Sequence, residues 1–266
     1  MPVRSIVSDA TLADRLDWLE RAEGAVAALG SDYPDGYRVE THRHSRSQLL
    51  YARKGVVMVT TGQGRWMVPP EHAMWLPAGV DHSVEMLGSV TMLSVYVAAG
   101  AIEGLSSELR VVGMTPLMHD LIVEATAMDP DAPPDNRGGL VMALILHEIP
   151  RLPERPLALP FPTDPRLAAM CRNFLDNPSP HSTIDAWARS AGMSRRSFTR
   201  AFLRGAGVSL STWQRQAILF AALPRLAEGE AVTSVALDLG YESVAAFITM
   251  FRKTLGAPPK AWLRET

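Results

Sequence analysis

The chain has 266 residues, 47% hydrophobic and 20% charged, which suits two globular domains and excludes a disordered protein. Its one cysteine, Cys171, excludes an internal disulfide and fits a reducing compartment. The acidic N-terminal segment has no signal-peptide pattern and no apolar run reaches the length of a membrane helix. We therefore expect a cytoplasmic protein with no membrane partner.

Charge is distributed unevenly along the chain, although the formal net charge is only −2. Residues 1–160 contain 13 Lys and Arg against 20 Asp and Glu, whereas residues 161–266 contain 13 against 8. Chance variation between two surfaces is the simple explanation. A basic C-terminal part joined to an acidic body is also typical of a DNA-binding domain attached to a domain with another role.

The pattern of apolar residues changes along the N-terminal half of the sequence. Residues 9–29 have apolar side chains near helical spacing, which predicts a helix. From 37 to 97, short β-branched or aromatic runs alternate with turns that contain Gly or Pro. This spacing predicts an all-β sandwich or barrel.

Three histidines and a glutamine stand out in the β-rich region. His42 and His44 are two residues apart, so on a strand they point to the same side, and His82 could join them from another strand. The spacing resembles the two cupin motifs, with Gln48 in place of the usual glutamate and Met86 in place of the usual asparagine. Imidazole suits a divalent Zn, Ni, Cu or Fe ion. The alternative is that His42, His44, Gln48 and His82 hold an organic effector by hydrogen bonds, without a metal.

Two further helices are predicted at 115–127 and 137–149. The second carries one apolar stripe that must be buried, either against its own barrel or against a second copy of the chain. We expect it to form a homodimer interface, because paired DNA-binding domains gain avidity. Six prolines between 150 and 165 predict a stiff interdomain linker. The stripe consists of Leu140, Val141, Leu144, Ile145 and Ile149. The predicted divisions are 1–113 (sensor), 114–150 (helical dimerisation segment), 151–165 (linker) and 166–266 (DNA-binding domain).

A pattern occurs twice in the C-terminal part. Ala188 precedes Gly192 by four residues, and Ala236 precedes Gly240 by four, 48 residues later. Each Gly is followed by two aromatic residues one turn apart: Phe198 and Phe202, then Phe247 and Phe251. A small residue at a helix contact, a Gly that permits a positive φ, and a new helix describe a helix-turn-helix. Two copies predict a protein that enters two successive major grooves of double-stranded DNA.

The two recognition helices differ in chemistry. Ser194 and Ser243 are their predicted N-caps. The outward face of the first recognition helix carries arginines, which pair bidentately with guanine, although a solvated arginine face is the simpler alternative. The second recognition helix lacks such residues, so we expect it to anchor on phosphates. The predicted DNA-contacting residues are Arg195, Arg196, Thr199, Arg200, Ser243, Val244, Ala245, Thr249, Arg252 and Lys253.

The stretches 191–202 (AGMSRRSFTRAF), 235–243 (VALDLGYES) and 251–259 (FRKTLGAPP) make residues 164–264 resemble the DNA-binding domain of the AraC/XylS regulators. The resemblance implies seven helices, with 214–227 as a long linking helix. It also implies base contacts at Arg196, Thr199 and Arg200 and at the corresponding positions 244, 245 and 249. The HxH…Q…PxGxxH pattern ahead of this domain resembles the cupin-containing subgroup, which often regulates efflux of drugs or metabolites.

We therefore predict a two-domain α+β protein with a cupin-like β-barrel, flanking helices and an all-α domain with two helix-turn-helix motifs. The predicted function is transcription regulation of a promoter in response to a small molecule or metal. One alternative is a metal-dependent cupin enzyme fused to a DNA-binding domain, although no general acid or base stands out near the histidines. The other is a constitutive DNA-binding protein whose barrel only dimerises.

Overall fold

The computed structural model describes residues 11–104, 107–129 and 136–265. It divides into two compact units, the second comprising Gly62–Arg65 together with the residues from Pro156 onward. The β-rich N-terminal unit with flanking helices and the helical C-terminal unit confirm the predicted fold class. None of the described helices is both long enough and apolar enough to cross a membrane.

The first unit is built on an antiparallel sheet. Each of its two longest strands pairs with more than one neighbouring strand along its length. Along its first half β6 (His82–Val97) pairs with β2 (Arg38–His42), and along its second half it pairs with β1 (Val26–Tyr33). β3 (Ser47–Thr61) lies along the other side of β6 throughout. β3 also pairs with β5 (His72–Leu76), β5 with β7 (Arg110–Gly113), and β7 with β8 (Glu154–Arg155). The strands are β1 (Val26–Tyr33), β2 (Arg38–His42), β3 (Ser47–Thr61), β4 (Gly64–Val68), β5 (His72–Leu76), β6 (His82–Val97), β7 (Arg110–Gly113) and β8 (Glu154–Arg155).

Among its described residues, the first unit has three α-helices: α1 (Leu12–Arg21), α2 (Pro116–Ala127) and α3 (Asn136–Glu148). The helix predicted at 9–29 is therefore shorter than expected, because the chain turns at Gly24 (φ 83°) and continues as β1. α2 and α3 pack on the outer face of the sheet, in a core shared with Tyr51 and Trp75.

The predicted apolar stripe of α3 is divided between two environments. Val141, Ile145 and Ile149 are buried in the core of their own unit. Leu140 and Leu144 are 68% and 45% exposed. The prediction that all five form a dimer interface is therefore wrong for the three buried residues, because the sheet itself needs an apolar cover on that face.

The second unit contains the seven helices that the resemblance implies. The linking helix begins at Leu210, four residues earlier than predicted, because Ser209 caps it. Ser194 and Ser243 cap the two recognition helices as predicted. The helices are α4 (Pro165–Asp176), α5 (Ile184–Ser190), α6 (Arg195–Ala206), α7 (Leu210–Ala227), α8 (Val232–Asp238), α9 (Val244–Leu255) and α10 (Pro259–Glu265).

The segment predicted as a spacer contains residues that pack into the second unit. Leu157 and Leu159, the latter on the short strand β9 (Ala158–Pro160), are fully buried. Trp213 Nε1 donates a hydrogen bond to the Pro160 carbonyl oxygen at 2.8 Å. The segment is rich in proline, but it also contains apolar residues that are buried in the second unit. For this reason its part from Pro156 onward belongs to the helical unit.

The irregularity in the middle of β3 supplies a stability test. Gly55 has φ 74°, and a Cβ there would lie 2.5 Å from the Ser89 carbonyl oxygen. We expect Gly55→Ala to destabilise the first unit by at least about 2 kcal/mol, since the left-handed backbone and the clash act together. Hydrogen exchange of the β3 and β6 amides would measure the loss.

The matched control is Gly139→Ala in the exposed part of α3, where a Cβ meets nothing within 4 Å. This change should stabilise by about 0.5–1 kcal/mol, because alanine loses less backbone entropy in a helix. Equal effects of the two substitutions would contradict the account of Gly55.

Candidate functional site

The sheet brings together the three histidines that the sequence places far apart. β2 ends at His42, which lies directly opposite His82 at the start of β6. His44 follows β2 in the connection to β3 and is buried. The ring centroids of His42 and His82 are 4.3 Å apart, and those of His44 and His82 are 5.2 Å apart. One nitrogen from each of the three rings lies within 4.8 Å of the other two.

The main chain selects the tautomer of all three imidazoles. Each Nδ1 lies within hydrogen-bonding distance of a carbonyl oxygen two residues away, so a neutral ring donates from Nδ1 and keeps a lone pair on Nε2. Metal-binding histidines are commonly oriented by a hydrogen bond of this kind from the ring nitrogen that does not bind the metal. The three distances are 2.8 Å from His42 to Glu40, 2.5 Å from His44 to Arg46 and 2.9 Å from His82 to Val80.

Gln48 directs its carbonyl oxygen at the histidines. Its amide nitrogen donates to Ser94 Oγ at 2.9 Å and to the Tyr96 hydroxyl at 3.3 Å. Its Oε1 lies 3.1 Å from His44 Nε2. In this protonation state both facing atoms are hydrogen-bond acceptors, so no hydrogen joins them. Two ligands in tetrahedral geometry, each about 2.1 Å from the ion, lie about 3.4 Å apart, which is close to this separation.

Burial favours the neutral form of two of the three imidazoles, those of His42 and His82. Burial lowers the pKa of His82 to about 4 and also lowers the pKa of His42, with smaller contributions from neighbouring imidazoles. His82 is 1% exposed, and its Nε2 has no hydrogen-bond partner. A buried acceptor without a donor is costly, and a cation would satisfy it. His42, His44, Gln48 and His82, called the histidine site below, therefore fit a divalent metal ion.

The remaining histidines play other roles. His119 lies 2.6 Å from the Tyr51 hydroxyl, and His181 lies 2.9 Å from the Gly240 carbonyl oxygen. His72 Nδ1 lies 2.9 Å from the Pro70 oxygen, and His147 is paired with Glu148. Within the described ranges, the histidine site contains the one cluster of His, Cys, Asp or Glu with metal-ligand spacing.

Sequence reasoning missed the groups that enclose the histidine site. A cavity of about 40 Å³ lies against it, and α1 covers that cavity. Arg15 on α1, Tyr33 on β1 and Tyr96 on β6 are among the lining residues. Burial raises the pKa of Tyr96 to about 12, so its hydroxyl stays protonated. The helical spacing of 9–29 could have identified the inner face of α1, but not what that face covers.

The first recognition helix, α6, separates its two faces as predicted. Phe198 and Phe202 are fully buried among Trp187 and Trp213. Arg195, Arg196, Thr199 and Arg200 are exposed. Arg195 forms an ion pair with Asp185 at 3.3 Å, and Thr199 donates a hydrogen bond to the Arg195 carbonyl oxygen. Two arginines, Arg196 and Arg200, thus extend from the helix beside a positioned threonine.

The second recognition helix, α9, presents small side chains and late positive charges. Phe247 and Phe251 are fully buried, Val244 is half-buried, and Ala245 and Thr249 are exposed. Ser243 is occupied as the N-cap, where its hydroxyl accepts from the Ala246 amide. Arg252 and Lys253 are exposed in the last turn.

A groove between α7 and α9 adds residues that the sequence did not single out. It is lined by Thr212 and Arg215 of α7 together with Thr249 and Lys253 of α9. Arg215 donates to Thr212 Oγ1 at 3.2 Å and is exposed. The linking helix therefore contributes a cation to the same surface as the second recognition helix.

Comparisons with known proteins agree with both units. Residues 24–133 match the family model of an AraC-like ligand binding domain, and residues 187–265 match that of a helix-turn-helix domain. The HTH-type transcriptional regulator NimR of Escherichia coli (strain K12) is 29% identical over 241 residues, covering 91% of this chain and 88% of NimR.

Two solved structures show more distant likeness. The DNA-binding domain of AdpA, a global transcriptional factor in complex with a target DNA, is 28% identical with a TM-score of 0.35, covering 38% of this chain and 91% of that one. Fatty-acid-bound ToxT from Vibrio cholerae is 11% identical with a TM-score of 0.37, covering 91% and 96%. The chain therefore carries an AraC-like ligand-binding domain followed by an AraC-type helix-turn-helix domain, in the order that the sequence predicts.

Proposed function

We propose that this regulator binds promoter DNA as a homodimer, takes base specificity mainly from α6, and responds to a divalent transition metal at the histidine site. The observation that carries the metal proposal is that one ring nitrogen from each of His42, His44 and His82 lies within 4.8 Å of the other two, with the Gln48 oxygen 3.1 Å from His44 Nε2. Zn, Ni, Cu and Fe(II) all accept this donor set. The three imidazoles and the amide are neutral, so the bound ion would keep its full positive charge.

The division between the recognition helices rests on their exposed chemistry. Arg196 and Arg200 can each form two hydrogen bonds to one guanine, whereas Ala245 offers only an apolar contact to a thymine methyl. The groove cations Arg215 and Lys253 suit phosphate oxygens, which carry no sequence information. The proposed arrangement places specificity on α6 and backbone anchoring on α9 and the start of α7.

The DNA proposal predicts unequal effects of substitution. With DNA selected in vitro by the wild-type chain, Arg196→Ala or Arg200→Ala should weaken binding by about 1–3 kcal/mol and relax one base position. Val244→Ala should cost little, because the side chain is half-buried and apolar. Fluorescence anisotropy at fixed salt would measure each affinity, since phosphate contacts make binding salt-dependent.

Arg166→Ala is the matched control, since Arg166 is an exposed arginine of α4 that pairs with Asp164. It should leave affinity unchanged. If Val244→Ala weakens binding as much as Arg200→Ala, the proposed division between the two helices is wrong.

The metal proposal predicts loss of the ion when a ligand is removed. The chain purified without chelators and supplied with Zn, Ni, Cu or Fe(II) should retain close to one equivalent by elemental analysis. His42→Ala, His44→Ala and His82→Ala should each weaken binding by roughly 100-fold or more, since even supporting partners of metal ligands are worth 10–100-fold. His147→Ala is the control, because His147 is exposed and paired with Glu148.

Gln48→Glu tests the remaining ligand. A carboxylate adds charge neutralisation that the amide lacks, so this variant should bind the ion more tightly. Retention of less than a tenth of an equivalent by the wild-type chain would overturn the metal proposal. The histidines would then serve as hydrogen-bonding groups for an organic effector.

The dimer proposal rests on the exposed leucines of the first unit. Leu140 and Leu144 lie one turn apart on α3, and Leu117 on α2 is 50% exposed. Burying these side chains against a second copy is favourable, and paired DNA-binding units bind two half-sites with gained avidity. Since the other half of the α3 stripe is already buried, the proposed interface is confined to the outer face of α2 and α3.

Leu144→Arg should therefore yield a folded monomer that binds DNA more weakly. Sedimentation equilibrium would measure the association, and circular dichroism would confirm folding. Leu237→Arg is the control, because Leu237 is 53% exposed but lies on α8 of the other unit. A Leu144→Arg variant that stays dimeric would exclude this face.

A further inference from the structure

The cavity beside the histidine site is lined by a charged side chain, Arg15, that is not among the proposed metal ligands. Arg15 extends from α1 into its lining, and its guanidinium group lies 5.4 Å from the centre of the Tyr33 ring. Its side chain donates a hydrogen bond to the Tyr33 hydroxyl. Its Nε is buried and has no hydrogen-bond partner. In the part of the chain that the structure describes, no ion pair joins Arg15 to a carboxylate.

The polar groups around this cavity are donors or potential cation ligands. The Tyr33 hydroxyl accepts from Arg15 and the Tyr96 hydroxyl accepts from Gln48, so each keeps its own hydrogen for another acceptor. Of the described residues that line the cavity, none is Asp or Glu. A partly buried guanidinium with a buried, unpartnered Nε, beside hydroxyl donors and without a carboxylate, attracts an anion.

The apolar part of the cavity comes from α1 and from the sheet beneath it. Leu12, Leu16 and Leu19 of this helix line it from above, and Leu50 of β3 lines it from below. The helix is attached at its C-terminal end, where Ser45 Oγ donates to Glu20 at 2.8 Å and Arg46 donates to the Gly24 carbonyl oxygen at 3.0 Å. The approximately 40 Å³ now present admits a small polar head group, so a larger apolar body requires α1 to move away from the sheet.

We propose that, in addition to the metal, this regulator responds to a small organic carboxylate, with its carboxyl group held between Arg15 and the histidine site and its apolar body under α1. This inference deepens the proposed function, because it names the effector class for the same site. Arg15 forms a charge-assisted pair with one carboxylate oxygen, and the tyrosine hydroxyls donate to the anion. The other carboxylate oxygen faces the histidine site, where it would be a further ligand of a bound divalent ion. Binding then couples the anion to the position of α1.

The test compares carboxylates with neutral amides of the same shape. Formate, acetate, butyrate and benzoate are titrated into the full chain at constant ionic strength by isothermal calorimetry, each beside its amide. The titrations are made once on Zn-loaded protein and once on protein treated with EDTA. At least one carboxylate should bind the Zn-loaded chain ten-fold or more tightly than its amide.

Arg15→Gln should abolish this ten-fold preference while leaving the Zn equivalent unchanged. Arg21→Gln is the matched control on the same helix, because its guanidinium donates to the Asp17 carbonyl oxygen and is exposed. This control should keep the full preference. Hydrogen exchange of α1 amides should change when the preferred carboxylate binds to the wild-type chain and not when its amide is added.

The outcomes separate this inference from the metal proposal. A carboxylate preference that depends on Arg15 in the EDTA-treated chain supports the effector class even if no metal binds. Stoichiometric Zn binding without any carboxylate preference overturns the effector class and leaves the metal proposal standing. A preference that survives in Arg15→Gln shows that the anion binds without Arg15, and it also overturns the inference.

Discussion

The register between β3 and β6 is the constraint on which the sensor unit depends. In this pairing Gln48 lies opposite Tyr96, and Thr61 lies opposite His82 at the other end of the same two strands. One irregular stretch around Gly55 allows both ends to pair while the strands bend. A slip by one residue would turn the side chains of a strand to the other face of the sheet. The histidine site, its glutamine and its tyrosine would then no longer meet.

Burial and charge act together at the histidine site. Main-chain carbonyl groups hold each imidazole by Nδ1, and burial lowers the pKa of His42 and His82, which favours their neutral form. Neutral ligands leave a cation uncompensated, and Arg15 adds a further positive charge to the same cavity. A site of this kind is poorly matched to a cationic effector. The electrostatics, more than the shape of the small cavity, therefore indicate the class of molecule that it would bind.

The DNA-binding unit is organised around its linking helix. Trp213 of α7 contacts Phe174, Trp187 and Phe202 and donates a hydrogen bond to the Pro160 carbonyl oxygen. The segment after Pro156 is thereby attached to the same helix that supports the first helix-turn-helix. At its start, α7 also exposes Arg215 beside α9. One helix thus connects the incoming chain, the aromatic core and the proposed phosphate-binding groove.

The sequence alone determined the features that depend on local spacing. Two repeats of Ala, Gly and paired Phe predicted both helix-turn-helix motifs, and Ser194 and Ser243 marked the starts of their recognition helices, because capping and helical faces are set within a few residues. Only the tertiary structure placed Arg15 over the histidines and Arg215 beside α9, since those neighbours are distant in the chain. It also buried Val141 and Ile145 while leaving Leu140 and Leu144 exposed. An apolar stripe shows that one face of a helix must be buried, but which element buries it depends on the packing of the whole unit.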